Sequence, residues 1–148
     1  MRSMGDPVDR QELLDRIARL AADTPRKWGT MNTPRMIAHL TDQMRHTLGD
    51  VHATQLPGIR RTALVRWLAI YVIWWPKDRI QGPPEAFTTQ PENWKSDRTA
   101  LVTLVQRFAQ RFPAGPFGNH AFFGAMTPQD WGVFCYKHFD HHLRQFGV

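Results

Sequence analysis

Cysteine and long apolar runs are the features that this sequence has least of. It contains one cysteine, Cys135, so no disulfide can form within the chain and a disulfide-stabilised secreted fold is excluded. The most apolar stretch, residues 63–75, contains Arg66 and is shorter than the roughly 20 residues that span a bilayer. The first residues also lack the apolar segment of a signal peptide. We therefore expect a cytoplasmic protein with no membrane partner.

Acidic residues are fewer than basic ones, with 13 Asp and Glu against 19 Lys and Arg, which gives a formal charge of +6 when the seven histidines are neutral. The basic residues are spread along the chain except for Arg60, Arg61 and Arg66, and the sequence shows no nucleic-acid recognition motif. Such a balance is typical of a solvated surface or of attraction for an anionic substrate. A basic nucleic-acid-binding module is kept as the less favoured alternative.

Hydrophobic spacing indicates helices almost everywhere in a single domain, residues 1–148. A short helix starts at Asp6-Pro7, and a second runs from the capping residue Thr33 to Gly49. A third, over about residues 61–75, is apolar nearly all round and is expected in the core. The fourth covers about residues 96–112, and a fifth runs from the cap Thr127 to about residue 146.

Two long connections separate these helices, at residues 76–94 and 113–126. The first contains QGPPEAFTTQPEN, with three prolines and no periodicity, and we interpret it as a lid or a partner surface. No segment alternates as a strand does, and no internal repeat is present. The predicted fold class is all-α: a four-helix bundle with an additional short N-terminal helix and two long connections.

Two histidines stand four residues apart on one face of the last predicted helix. At 100° per residue, His138 and His142 share their face with Trp131, Cys135 and Gln145, so a bundle would bury them together. Imidazoles at this spacing can point at one metal ion. His141 lies at the edge of this face, and we expect it to support the site or line its rim.

A third ligand is expected from the second helix, where His39 stands among apolar residues and is followed by Gln43 and His46 at helical spacing. Bundles build metal sites from facing helices, so His39, His138 and His142 are the candidate ligands of one divalent ion. Three imidazoles leave coordination positions open, as in catalytic sites.

The alternative is that these histidines are ordinary core or surface residues, and His46, His52 and His120 are interpreted in that way. Cys135 is expected to be a small buried apolar residue. Four aromatic residues can either wall a pocket or fill the core: Trp28, Trp131, Phe122 and Phe123.

The pattern W28-GTMNTPRMIA-H39-L, together with H138-FD-H141-H142-LR-Q145, resembles the DinB/YfiT-like superfamily of small metal-binding four-helix bundles. The segment from His120 to the end resembles most closely a branch of unknown function. The resemblance implies a three-histidine site for nickel or zinc at His39, His138 and His142, and frequent homodimers. It also implies transfer or isomerisation reactions with low-molecular-weight thiols in some members and hydrolysis in others.

The sequence thus predicts a metal-dependent enzyme of transferase or hydrolase type, in which the ion activates water or a thiol toward a small-molecule substrate. The alternative is a noncatalytic bundle that dimerises through the apolar segment WLAIYVIWW, if part of that segment is exposed.

Overall fold

The computed structural model of the chain describes residues 1–52, 54, 62–73, 75 and 84–148. These residues form five α-helices and no β-strand, so the all-α class is confirmed for the part described. The helices are α1 (Pro7–Ala18), α2 (Thr33–Leu48), α3 (Ala63–Trp67), α4 (Trp94–Arg111) and α5 (Pro128–Gln145). A π-helical turn, Leu68–Val72, continues α3, and a 3₁₀ turn spans Pro84–Phe87.

The helix ends follow local capping chemistry. The Thr127 side chain accepts from the Asp130 amide and the Asp130 carboxylate accepts from the Thr127 amide, which is the capping box expected for α5. Gly49 ends α2 with φ 76°, a left-handed conformation that glycine adopts without steric cost. The cap of α2 is Asn32 rather than Thr33, because the Asn32 side chain accepts from the Arg35 amide.

The core lies between α1, α2, α4 and α5. Helix α2 packs against α4 and α5, and α1 packs against α5. Each helix contributes the apolar stripe that its spacing predicts, and the fully buried side chains include Leu13, Ile17, Met36, Leu40, Met44, Leu101, Val105, Phe108, Trp131 and Phe139. This packing brings the middle of α2 beside the second half of α5.

The third helix differs from its prediction in length and in burial. It is interrupted after Trp67, and its π-helical continuation ends at Val72. Ile70 is fully buried, but Trp67 is 52% and Val72 55% exposed, so the expectation of a core helix is wrong for the described residues. The described packing of this segment on another helix is that of the turn Leu68–Val72 on α5, which leaves several of its apolar side chains exposed.

The two long connections each contribute an ordered piece. Residues 76–83 of the first lie outside the described residues, while Pro84–Phe87 packs on α2. In the second, His120 and Gly124 pair through their backbones in an isolated bridge. Among the described helices, none is long and apolar enough to cross a membrane.

Candidate metal centre

The packing of α2 on α5 brings His39, His138 and His142 together. Each offers one ring nitrogen, and the three nitrogens lie within 4.8 Å of one another. The side chains are buried, with exposed fractions of 5%, 9% and 8%. The structure therefore places the three predicted ligands in one cluster that can hold a metal ion.

His39 is oriented by its other ring nitrogen. Its Nδ1 donates to the carbonyl oxygen of Ala86 at 2.8 Å, so Nε2 keeps its lone pair. That Nε2 lies 3.0 Å from Nε2 of His138. The observed 3.0 Å is a hydrogen-bond distance, and two nitrogens bound to one tetrahedral zinc at about 2.0–2.1 Å would be about 3.3 Å apart, so the two rings would have to separate slightly to hold an ion.

His142 is held in a similar way from the C-terminal side. Its Nδ1 donates to Oε1 of Gln145 at 3.1 Å, and the Gln145 amide donates to the Trp28 carbonyl at 2.9 Å. Because Nδ1 carries the proton, Nε2 is the ligand atom that remains. Gln145, which was predicted to share the face of the two histidines, and Trp28 together fix this imidazole.

Burial keeps the cluster neutral. Loss of hydration lowers the pKa of His39 and, to about 3, that of His142, and the pKa of His138 lies well below its ordinary value. Neutral imidazole is the form that binds metal, so no proton has to be removed near pH 7. Nδ1 of His138 is a buried polar atom without a hydrogen-bond partner among the described residues.

A segment that the sequence did not connect to the site, residues 84–90, supports His39. Phe87 stacks on the His39 ring with centroids 4.6 Å apart and an interplanar angle of 13°. Arg35 donates to the carbonyls of Phe87 and Thr89 at 2.7 and 2.6 Å. Buried Asp42 accepts from the Thr89 amide at 2.9 Å and from its hydroxyl. The sequence feature that could have pointed to this contact is Asp42, an acidic residue three positions after His39 in the second predicted helix.

A cavity of about 250 Å³ opens beside the three histidines. Its described lining contains no Asp, Glu, Lys or Arg. The lining residues are Met31, His39, Gln43, Ala69, Ile73, Trp75, Ala86, Phe87, His120, Phe122, Phe123, Phe134, His138, His141 and His142. The site is therefore an apolar, largely aromatic chamber with the imidazole cluster in its wall.

The remaining predicted residues divide between the cavity and the core. Gln43 and His141 line the cavity, and the ring of Trp28 packs edge-on against His141 with centroids 4.8 Å apart. Trp131 does not belong to the lining, because it lies fully buried behind Phe134 in the core. Burial raises the pKa of the Cys135 thiol to about 12, so Cys135 behaves as the buried apolar residue that was expected.

His120 was interpreted from sequence as an ordinary histidine, but it lines the cavity. Its Nδ1 accepts from the amides of Phe122 and Phe123 at 3.1 and 3.3 Å, which leaves the proton on Nε2. Burial, with a smaller contribution from His46, lowers its pKa to about 3. A glycine- and aromatic-rich loop gave no periodicity from which this position could be inferred.

Of the three residues in the basic cluster, the structure describes Arg66. Arg66 donates to the Ala125 carbonyl at 3.0 Å and lies 3.8 Å from the Asp130 carboxylate, so it holds α3 to the start of α5. Arg60 and Arg61 lie outside the described residues.

These observations define an all-α protein with a buried three-histidine cluster that can hold a metal ion. The chain belongs to a family of proteins of unknown function, DUF1569, whose sequence profile matches residues 8–147. No curated protein and no solved structure matches the chain. The family description names no activity, so a function has to be argued from the site itself.

Proposed function

We propose that this protein is a DinB-like metal-dependent enzyme, a thiol-dependent transferase or a hydrolase, whose ion is zinc or nickel bound by His39, His138 and His142. The proposal includes the finer fold, a DinB-like four-helix bundle, which is supported by the packing of α2 on α4 and α5 and of α1 on α5. It also includes a small-molecule substrate, with a low-molecular-weight thiol as a candidate.

The observation that carries the proposal is that hydrogen bonds to other residues orient two of the three imidazoles, so that the same nitrogen atom of each is free to bind a metal ion. The Ala86 carbonyl and the Gln145 amide oxygen each occupy an Nδ1–H, so Nε2 of His39 and Nε2 of His142 are left as lone-pair donors within one small volume. Histidines that bind metals are usually oriented in this way.

The chain's own residues supply binding, orientation and exclusion of water. Three imidazole ligands would leave positions open on a bound ion, the three histidines line the cavity, and Phe87 covers the His39 ring. A divalent ion held there lowers the pKa of water or a thiol and so provides a nucleophile at neutral pH. The aromatic lining limits solvent access to that nucleophile.

The test is metal analysis of the purified protein and of two single variants. We expect about one equivalent of zinc or nickel in the wild type and a loss of at least tenfold in metal affinity for His142→Ala. His52→Ala, at an exposed position, is the matched control and should retain the ion. A wild type that neither contains nor takes up stoichiometric zinc or nickel would overturn the proposal, as would full retention of metal by His142→Ala.

A second candidate, a noncatalytic dimer, is favoured by the exposed apolar side chains of α3 and the residues after it. Leu64, Trp67, Val72 and Ile73 are each at least half exposed, and contiguous exposed apolar residues often mark an interface. Under this proposal two copies of the chain would cover these residues. Sedimentation should then show a dimer that Trp67→Glu dissociates, whereas a monomeric wild type at high concentration would exclude it.

A further inference from the structure

The chamber beside the histidines has a composition that selects its ligand. Aromatic rings of Trp75, Phe87, Phe123 and Phe134 contribute to its wall, and the described lining carries no ionised side chain. Transfer of a charged group into such surroundings is costly unless an opposite charge meets it. Apolar and aromatic molecules are therefore favoured over sugars, polyols and phosphates in most of this space.

The imidazole cluster is the part of the described lining that can hold a cation. If a divalent ion occupies it, as proposed above, three neutral ligands leave its two positive charges uncompensated, because no described carboxylate lines the cavity. In a medium of low dielectric constant this charge strongly favours an anionic donor from the ligand. One such donor is accommodated next to the cluster, whereas a second would meet no ionised side chain in the described lining.

The volume of the cavity limits the size of the ligand that it can hold. A dry cavity of about 150 Å³ lined by aliphatic and aromatic residues holds benzene. The present chamber, at about 250 Å³, has room for one ring and a small attached group.

We propose that the cavity binds a small monoanionic aromatic molecule, with its single anionic donor at His39, His138 and His142 and its ring against the aromatic wall. This inference rests on the proposed function, because the cluster attracts an anion only when it holds the ion. It goes further by naming the ligand class: one aromatic ring, one anionic donor and no second charge.

The first test measures binding of four probes to zinc-loaded protein by calorimetry at fixed ionic strength, after the zinc content has been determined. Benzoate should bind with one-to-one stoichiometry. Acetate lacks the ring, benzyl alcohol lacks the charge and terephthalate adds a second carboxylate at the far end of the ring. Each of these three should bind at least tenfold more weakly than benzoate.

Each alternative result overturns a definite part of the inference. If acetate binds as tightly as benzoate, the protein does not bind the ring. If benzyl alcohol binds as tightly as benzoate, no negative charge is needed. If terephthalate binds as tightly as benzoate, the end of the ring that carries its second carboxylate lies in solvent. If zinc-loaded protein does not bind benzoate, the proposed ligand class is wrong but the proposed metal site is not affected. Protein that binds no metal would overturn the proposed function instead, so the two failures are distinguishable.

A second test uses a variant to determine whether benzoate binds in this cavity. Ala69 belongs to the lining, and Ala69→Phe should fill part of the space and weaken benzoate binding at least tenfold while zinc content is unchanged. Ala100→Phe, on the exposed side of α4, is the matched control and should bind benzoate as the wild type does. Unchanged binding by folded, zinc-loaded Ala69→Phe would overturn the location. If that variant does not fold, the four-probe series on the wild type still decides the ligand class.

Discussion

The side-chain oxygen of Gln145 accepts a hydrogen bond from Nδ1 of His142 at 3.1 Å, one helical turn along the same face of α5. The amide of Gln145 is fixed in turn, because it donates to the carbonyl of Trp28 in the segment before α2. The glutamine can therefore not rotate to offer its NH₂ group to the imidazole without losing the second bond. This arrangement determines which nitrogen of His142 faces the cluster.

Replacement of Gln145 should weaken metal binding without removing a ligand. We expect Gln145→Leu to lower metal affinity by roughly 10- to 100-fold, the usual effect of losing a partner that orients a histidine ligand. Gln145→Glu keeps the acceptor for Nδ1 and should retain much more of the affinity. Competition with a chromogenic chelator measures both, with Gln106→Leu on the exposed face of α4 as control. Identical affinities of the Leu and Glu variants would contradict this role.

Arg35 should act on the other side of the cluster through residues 84–90. Its guanidinium holds the carbonyls of Phe87 and Thr89, and the same segment presents the Ala86 carbonyl to Nδ1 of His39. We expect Arg35→Leu to release this segment and to reduce metal affinity by about tenfold or more. The measurement is again chelator competition, together with the visible spectrum of cobalt-loaded protein, which reports the geometry of the ligands.

The matched variant for Arg35 is Arg26→Leu, at an exposed arginine in the segment before α2. It should leave both affinity and spectrum unchanged. If Arg35→Leu lowers only the melting temperature and the cobalt spectrum stays that of the wild type, Arg35 stabilises the fold without positioning His39.

His120 should make the stability of the metal-free protein depend on pH. Its folded-state pKa of about 3 lies below the ordinary value of about 6.5, so the unfolded chain binds one more proton between these values. The free energy of unfolding is then retained at neutral pH and falls as the pH is lowered below about 6.5, by up to about 1.4 kcal/mol per pH unit for this group. Protonation of Nδ1 would also remove the hydrogen bonds from the Phe122 and Phe123 amides.

The check is urea denaturation in the presence of a chelator at pH 7, 6 and 5. The slope of the free energy of unfolding against pH should be shallower for His120→Gln than for the wild type, because the variant lacks the histidine whose pKa is lowered by folding. His52→Gln, which removes an exposed histidine, should follow the wild type. A slope that is the same in His120→Gln and the wild type would contradict the assignment.

Most helix positions and the helix faces that carry the three histidines could be predicted from the sequence because both depend on local periodicity. His138 and His142 are one turn apart on α5 whatever the rest of the chain does, and His39 interrupts an apolar stripe that had to face inward. Capping residues such as Thr127 and Gly49 act on their own helix ends, so they too are visible in the sequence.

The parts that could not be predicted depend on contacts between distant segments. Ala86 and Phe87 lie 47 and 48 positions after His39 in a proline-rich connection without periodicity, and His120 reaches the cavity from an irregular loop. The third helix misled the prediction for a different reason. Its apolar composition is typical of a core helix, but several of its apolar side chains are exposed, and composition does not report how many neighbours a helix has.

Asp130 joins the cap of α5 to the residues after α3, and its removal should be costly for stability. Its carboxylate accepts from the Thr127 amide at 3.1 Å and from the Tyr71 hydroxyl at 2.7 Å. Burial and the contact with Asp130 raise the pKa of Tyr71 to about 12, so the hydroxyl stays a donor. We expect Asp130→Ala to lower the free energy of unfolding by about 2 kcal/mol, through the lost cap and the unpaired hydroxyl.

The Tyr71 contribution can be separated by a double-mutant cycle measured by urea denaturation. Tyr71→Phe alone should cost about 1 kcal/mol, because it removes one hydrogen bond and leaves the cap intact. In the double variant the loss should be close to that of Asp130→Ala alone, since the hydroxyl has no carboxylate left to bind. If the losses in free energy of unfolding are fully additive, the two residues stabilise the protein independently. The hydrogen bond between them would then not hold the turn Leu68–Val72 to α5.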